Sequence, residues 1–204
     1  MAVSRIKTSS VLQGFPKSRS LLAGNAAFFP NSYESIATVT VGAGGTGTIT
    51  FSSIPSTFAH LQIRYIARAT GGSTNASVYT WYNNDTTLGN SPSHYLQGNG
   101  SSVSAGARTG GGFGNIQIPS AITGTSGLAS SFGVGVIDIL DYTNTNKYKT
   151  TRALAGNDQN GSGIIDLMSG VFVTNTNAIS RIDLGADGNF AQYSQFALYG
   201  IKGA

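Results

Sequence analysis

HLQIRYIARA, residues 60–69, decides the fold. Leu61, Ile63, Tyr65, Ala67 and Ala69 fall on one side of a two-residue period, and His60, Gln62, Arg64 and Arg68 fall on the other. A helix would space its apolar residues by three and four. Alternation by two is a strand with one buried face. The same period runs outward in both directions. ESIATVTV (34–41) alternates, and TGTITF (46–51) sets Ile49 and Phe51 on one face. SVYTWYN, GNIQI, SFGVGVIDILDY, KYKTTRALA, GIIDLMSGVFV, ISRIDLG and FAQYSQFALYGI continue it, which makes about ten strands.

Turn chemistry separates these runs. Ile54-Pro55-Ser56 interrupts the second and third. Asn83-Asn84-Asp85, Gly98-Asn99-Gly100, Asn160-Gly161 and Asp187-Gly188 place residues that tolerate a positive φ between apolar stretches. Many short strands with frequent turns predict an all-β, antiparallel sandwich, jelly-roll-like, over residues 34–204. Residues 84–127, dominated by Gly, Ser, Asn and Thr, predict short strands and long loops. No capped helix and no internal repeat is evident.

Composition agrees. The 204 residues fit one domain, large enough to bury roughly 70% of its unfolded surface without staples. With no cysteine, there is no disulfide framework, Cys-ligated metal or Cys nucleophile. Only 10% of residues are charged, against a usual ~25%, so long solvated helices are not expected. No apolar run approaches the ~18 residues of a membrane helix, and none follows Arg5 and Lys7 as a secretory signal requires. Membrane insertion is therefore not expected.

Charge is uneven. Residues 1–33 hold Arg5, Lys7, Lys17 and Arg19 and no acid, while residues 34–204 hold eight basic groups and eight acids. The whole excess of +4 sits in the leader. A neutral body argues against a nucleic-acid partner.

The catalytic inventory is thin. His60 and His94 lack metal-type spacing and read as ordinary exposed side chains. Asp138 and Asp141 in DILD point to opposite faces of a strand, so they do not make a glycosidase pair. NDQNGSGIID (157–166) lacks the ligand order of a calcium loop and reads as a type I′ hairpin at Asn160-Gly161. GAGGTG and TGGGFG lack the Lys-Ser/Thr of a phosphate loop. Neither a cofactor nor a metal is expected. Folding DYTNTNKYK about residues 143–147 sets Tyr142 against Tyr148 and Asp138 against Arg152, a structural ion pair for a partly buried carboxylate. Tyr79, Trp81 and Tyr82 lie close together and Tyr95 lies in the loop-rich part. Exposed aromatics of this kind stack on sugar rings; core and rim packing is the plainer reading.

TITFSSIPSTFAHLQIRYIAR, GVGVIDILDYTNTNKYKTTRALAGNDQNGSG and FAQYSQFALYGIKG, in that order and spacing, resemble a family of small, Gly-rich β-sandwich virion structural proteins of tailed bacteriophages. The resemblance covers essentially all of 34–204. It implies a non-enzymatic sandwich displayed on the particle and carries over no catalytic residue. Members have a short variable leader, often with a Leu/Phe-Pro-Lys piece, to which GFPKSRS (14–20) is similar.

On this reading residues 1–33 are a basic extended docking arm. Thirty-three extended residues reach up to ~110 Å. Arg5, Lys7, Phe15, Lys17 and Arg19 are the expected contacts with an acidic particle surface. The expected role is capsid decoration, cement or head fibre in the virion, assembled in the host bacterial cytoplasm, with major capsid or tail proteins as partners. The alternative is a tail-fibre or baseplate module that binds a host-surface glycan through Tyr79, Trp81, Tyr82 and Tyr95. Analogy with other virion surface proteins favours a homo-oligomer, a trimer first.

Overall fold

The computed structural model describes residues 32–87, 91–108 and 116–202, with the backbone alone at 108 and 116–121. The five docking residues assigned to the leader lie outside this range. From Tyr33 onward the chain forms one compact unit.

The described residues form twelve strands and no helix. They are β1 (Tyr33–Thr40), β2 (Thr46–Phe51), β3 (His60–Ala67), β4 (Asn75–Tyr82), β5 (Ser93–Gly98) and β6 (Val103–Arg108). There follow β7 (Ile116–Thr123), β8 (Gly133–Leu140), β9 (Lys149–Asp158), β10 (Gly163–Phe172), β11 (Ile182–Phe190) and β12 (Gln195–Ile201). All strand pairings are antiparallel and make two sheets: β1-β12-β3-β8-β9-β10-β5-β6 and β2-β11-β4-β7. The sheets pack face to face as a β-sandwich, eight strands against four.

The alternation of 60–69 is the core. Leu61, Ile63, Tyr65, Ala67 and Ala69 are all buried. Neighbouring strands add Ile137, Ile139, Met168, Phe196 and Leu198, and the small sheet answers with Ile49, Phe51, Val78, Tyr82, Ile182 and Leu184. Each fully buried aliphatic or aromatic side chain contributes about 1.5–3 kcal/mol of transfer free energy. The ring of Phe196 meets Phe190 edge-on at 4.7 Å between centroids and stacks on Tyr65 at 5.8 Å.

Turns follow the residues that announced them. Asn160 (φ 59°) and Gly161 (φ 94°) make the two-residue turn between β9 and β10, and Asp158 pairs with Gly163 just beyond it. Asn83 and Asn84 take φ 52° and 59°, and Gly188 takes φ 78°.

The β8–β9 hairpin has the predicted register, with Asp138 opposite Arg152 and Leu140 opposite Thr150. Its tip corrects the expected Tyr142–Tyr148 pair. Asp141 adopts a left-handed φ of 49° and ends the ladder. Tyr142 then turns inward, fully buried, and donates its hydroxyl to the Pro55 carbonyl, while Tyr148 stays half-exposed. The loop carries its own internal support. Buried Lys149 donates its ammonium to the carbonyls of Asn144, Lys147 and Thr176.

Candidate functional site

Three surface features follow from this architecture: a row of polar contacts, an apolar band beside it, and an aromatic pair on the opposite sheet.

The polar row crosses the outer face of the large sheet. Gln62, Asp138, Arg152, Ser169 and His94 stand side by side in register on β3, β8, β9, β10 and β5. Gln62 Nε2 donates to Asp138 Oδ1 at 2.8 Å, and an Arg152 guanidinium nitrogen lies 2.9 Å from Asp138 Oδ2. Both carboxylate oxygens are thus satisfied, which is what a side chain only 17% exposed needs. The Asp138–Arg152 pair expected from the hairpin is present. Arg64 bonds the Gln62 carbonyl oxygen at 2.8 Å and sits 5.3 Å from the ring centroids of both Tyr33 and Tyr199. That stacking covers the β1–β12–β3 end of the face.

The apolar band occupies the rest. One row runs Val136–Leu154–Leu167–Leu96 through directly paired positions of β8, β9, β10 and β5. The next runs Ile66–Val134–Gly156–Ile165–Gly98–Val103 across β3, β8, β9, β10, β5 and β6. Leu154, Leu167, Leu96, Ile66, Val134, Ile165 and Val103 are between 43% and 74% exposed. Beside Gly156 lies an open groove of about 520 Å³ walled by Val134, Val136, Leu154 and Ile165. Contiguous apolar surface of this kind marks an interaction site.

Sequence reasoning did not single out this band, although the sequence held a signal. GVGVIDIL and GIIDLMSGVFV are nearly continuous apolar runs rather than alternating ones. A strand apolar on both faces is one that is covered on both faces. The inner faces meet the small sheet, and the outer faces stand open.

The four aromatics expected to act together are separated. Tyr82 is fully buried, with its hydroxyl on Thr151, so its place in a surface recognition set is corrected to core. Burial pushes its phenol well above the ordinary tyrosine range. Tyr95 belongs to the other sheet, where its ring lies over Gly106 at about 3 Å from the position a Cβ would take. Tyr79 and Trp81, two residues apart, do share the outer face of the small sheet, both half-buried. The indole edge lies close to Gly185, where a Cβ would meet it at 3.2 Å. Tyr79 donates its hydroxyl to Asp187 at 2.7 Å. Beside Trp81 in register stands Asp183, buried and held by Arg181 at 2.8 Å on each oxygen and by Thr50 at 2.6 Å.

The charged side chains elsewhere are also engaged locally. His60 Nδ1 accepts the Asp141 amide at 3.0 Å. Lys147 bonds the Asp141 carboxylate and holds it below the usual carboxylate range, with His60 adding to the effect. Arg68 donates to the carbonyls of Leu128, Ser131 and Gly127 at 2.6, 3.0 and 3.1 Å, closing loop 124–131 onto β3. Lys202 pairs with Glu34 at 2.8 Å. Asp85 and Asp158 each accept a backbone amide two residues on. His94 lies on the outer face of the large sheet, away from His60. Among the described residues no three His, Asp or Glu side chains converge as a metal site would require.

No family model, curated protein or solved structure matches this chain.

Proposed function

We propose that this chain is a structural subunit displayed on the surface of a bacteriophage particle, as capsid decoration, cement or head fibre, and attached through its basic N-terminal segment. One observation carries the assembly part of this reading. Among the described residues the charged side chains are spent on local structural contacts, while the outer face of the large sheet carries contiguous exposed apolar side chains. Such a surface is suited to assembly. The particle itself is inferred from the three sequence blocks that resemble phage virion proteins. Those blocks supply β12, β3, β8 and β9, four consecutive strands of the large sheet, and β2 of the small one. Attachment is assigned to Arg5, Lys7, Lys17 and Arg19 on charge, since these four cations are the chain's whole excess, and to Phe15 as an apolar anchor among them.

The test is incorporation. Particles assembled with Arg5, Lys7, Lys17 and Arg19 all changed to Glu are expected to carry at least roughly 10-fold less of the protein by immunogold labelling, since four charge reversals each oppose an acidic surface. Equal labelling of variant and wild-type particles would refute the docking role. Label confined to tails rather than heads would shift the reading to host recognition.

A second reading has its own observation. The half-buried indole of Trp81 shares the outer face of the small sheet with Tyr79, an aromatic pair of the kind that can stack on a sugar ring. Specific binding on a glycan array, abolished by Trp81→Ala, would establish it.

A further inference from the structure

The apolar band does not look like a surface for an arbitrary partner, because its relief repeats. In the row Ile66–Val134–Gly156–Ile165–Gly98–Val103, large and absent side chains alternate from β8 to β6. Strands are ~4.8 Å apart, so ridges and gaps each recur about every 10 Å. We propose that this outer face of the eight-stranded sheet is the contact between two copies of this chain, packed face to face about a two-fold axis.

Three arguments select a second copy. The first is shape. An identical face offset by one strand spacing sets its Ile165 and Val103 ridges opposite the Gly98 and Gly156 gaps, and sheets packed ~10 Å apart interdigitate in this way. The second is area. At their measured exposures, the exposed side chains of the two rows present on the order of 600 Å² from each copy, close to the ~800 Å² per partner of a stable complex. The third is charge. Asp138 and Arg152 neutralise each other, and Asp158, at the rim, accepts the Asn160 amide within its own hairpin. The band therefore offers little to the basic segment 1–31 and no repulsion to a copy of itself. A two-fold axis makes each residue's contact reciprocal, which a self-complementary corrugation satisfies.

The contact rests on the assembly reading only for its setting. Its test reads mass in solution rather than incorporation into particles, so either can fail alone. The full chain is examined by sedimentation equilibrium at micromolar concentration, and a dimer is expected. Leu154→Arg and Ile165→Arg each put a charge into the band and are expected to weaken dimerisation by roughly 100-fold or more. Gly98→Leu adds no charge. A Cβ at that position meets only Ile165 Cγ2, at 3.6 Å, so the monomer accommodates it while a ridge from the partner does not. It too is expected to dissociate the dimer. Thr48→Arg, on the other sheet, leaves it intact. Thermal midpoints of the variants verify that each remains folded. A monomer or a trimer overturns the proposal, as does a dimer that survives Ile165→Arg and Gly98→Leu.

Discussion

At the residue scale, the side chains that a sequence reader would pick for chemistry are the ones that hold loops in place. Lys149 is the clearest. It begins β9 buried, and its three ammonium donors meet three carbonyls from the β8–β9 loop and from Thr176. Burial pushes its amine below the ordinary lysine value. The folded state therefore carries a charging cost that eases as pH rises from the lowered value toward the unfolded one. Lys149→Met keeps the stem and removes every donor, leaving three carbonyls unanswered. It is expected to cost about 2–4 kcal/mol, read as a lower urea midpoint. Asp141 titrates the other way. Lys147 bonds its carboxylate and holds its proton affinity below normal, against an opposing effect of desolvation, with the charges of Lys147 and His60 adding to the lowering. Its contribution is present above the usual carboxylate range and is lost as pH falls through the depressed value.

At the element scale, glycines decide which strands can lie together. Gly135 sits directly opposite Tyr65 on the inner face, and a Cβ there would fall 2.3 Å from the phenol ring. The ring cannot retreat, because it is buried against Phe196. Gly135→Ala is thus expected to destabilise by about 1–3 kcal/mol through overpacking. A chemical denaturation curve measures it, and a neutral result would mean that β8 shifts rather than resists. The same scale shows what was legible in advance. Alternation placed β1, β2, β3 and β12 without help, and Asn160-Gly161 fixed the β9–β10 turn. The β8–β9 register, and with it the Asp138–Arg152 pair, was also readable, because a short hairpin has few alternatives. Tyr142 was misread because nothing local announces a left-handed Asp141. The apolar band was missed because each strand was asked only which face is buried. Near-continuous runs in β8 and β10 put apolar side chains on both faces.

At the scale of the whole molecule, what the sequence withheld is the order of strands. Only β8–β9, β9–β10 and β5–β6 join neighbours in the chain; every other pairing is between strands far apart in sequence. Such pairings depend on complementarity across the finished sandwich and leave no local mark. They also make the C-terminus structural. β12 lies between β1 and β3, and it brings Phe196 and Leu198, both fully buried, into the core. A chain ending at Ser194 would lose two ladders at once, leave β1 without a partner, open β3 as a bare edge, and forfeit roughly 3–6 kcal/mol from those two side chains alone. That approaches the whole stability of an ordinary domain, about 5–15 kcal/mol. The truncated chain is expected to be unfolded by circular dichroism and to aggregate. Lys202→Ala, which removes only the exposed pair with Glu34 just past the same strand, is expected to leave the melting curve nearly unchanged. If the truncated chain instead melted cooperatively, the eight-stranded sheet would have to close on β3 without β12, and the core built around Phe196 would not be what holds the two sheets together.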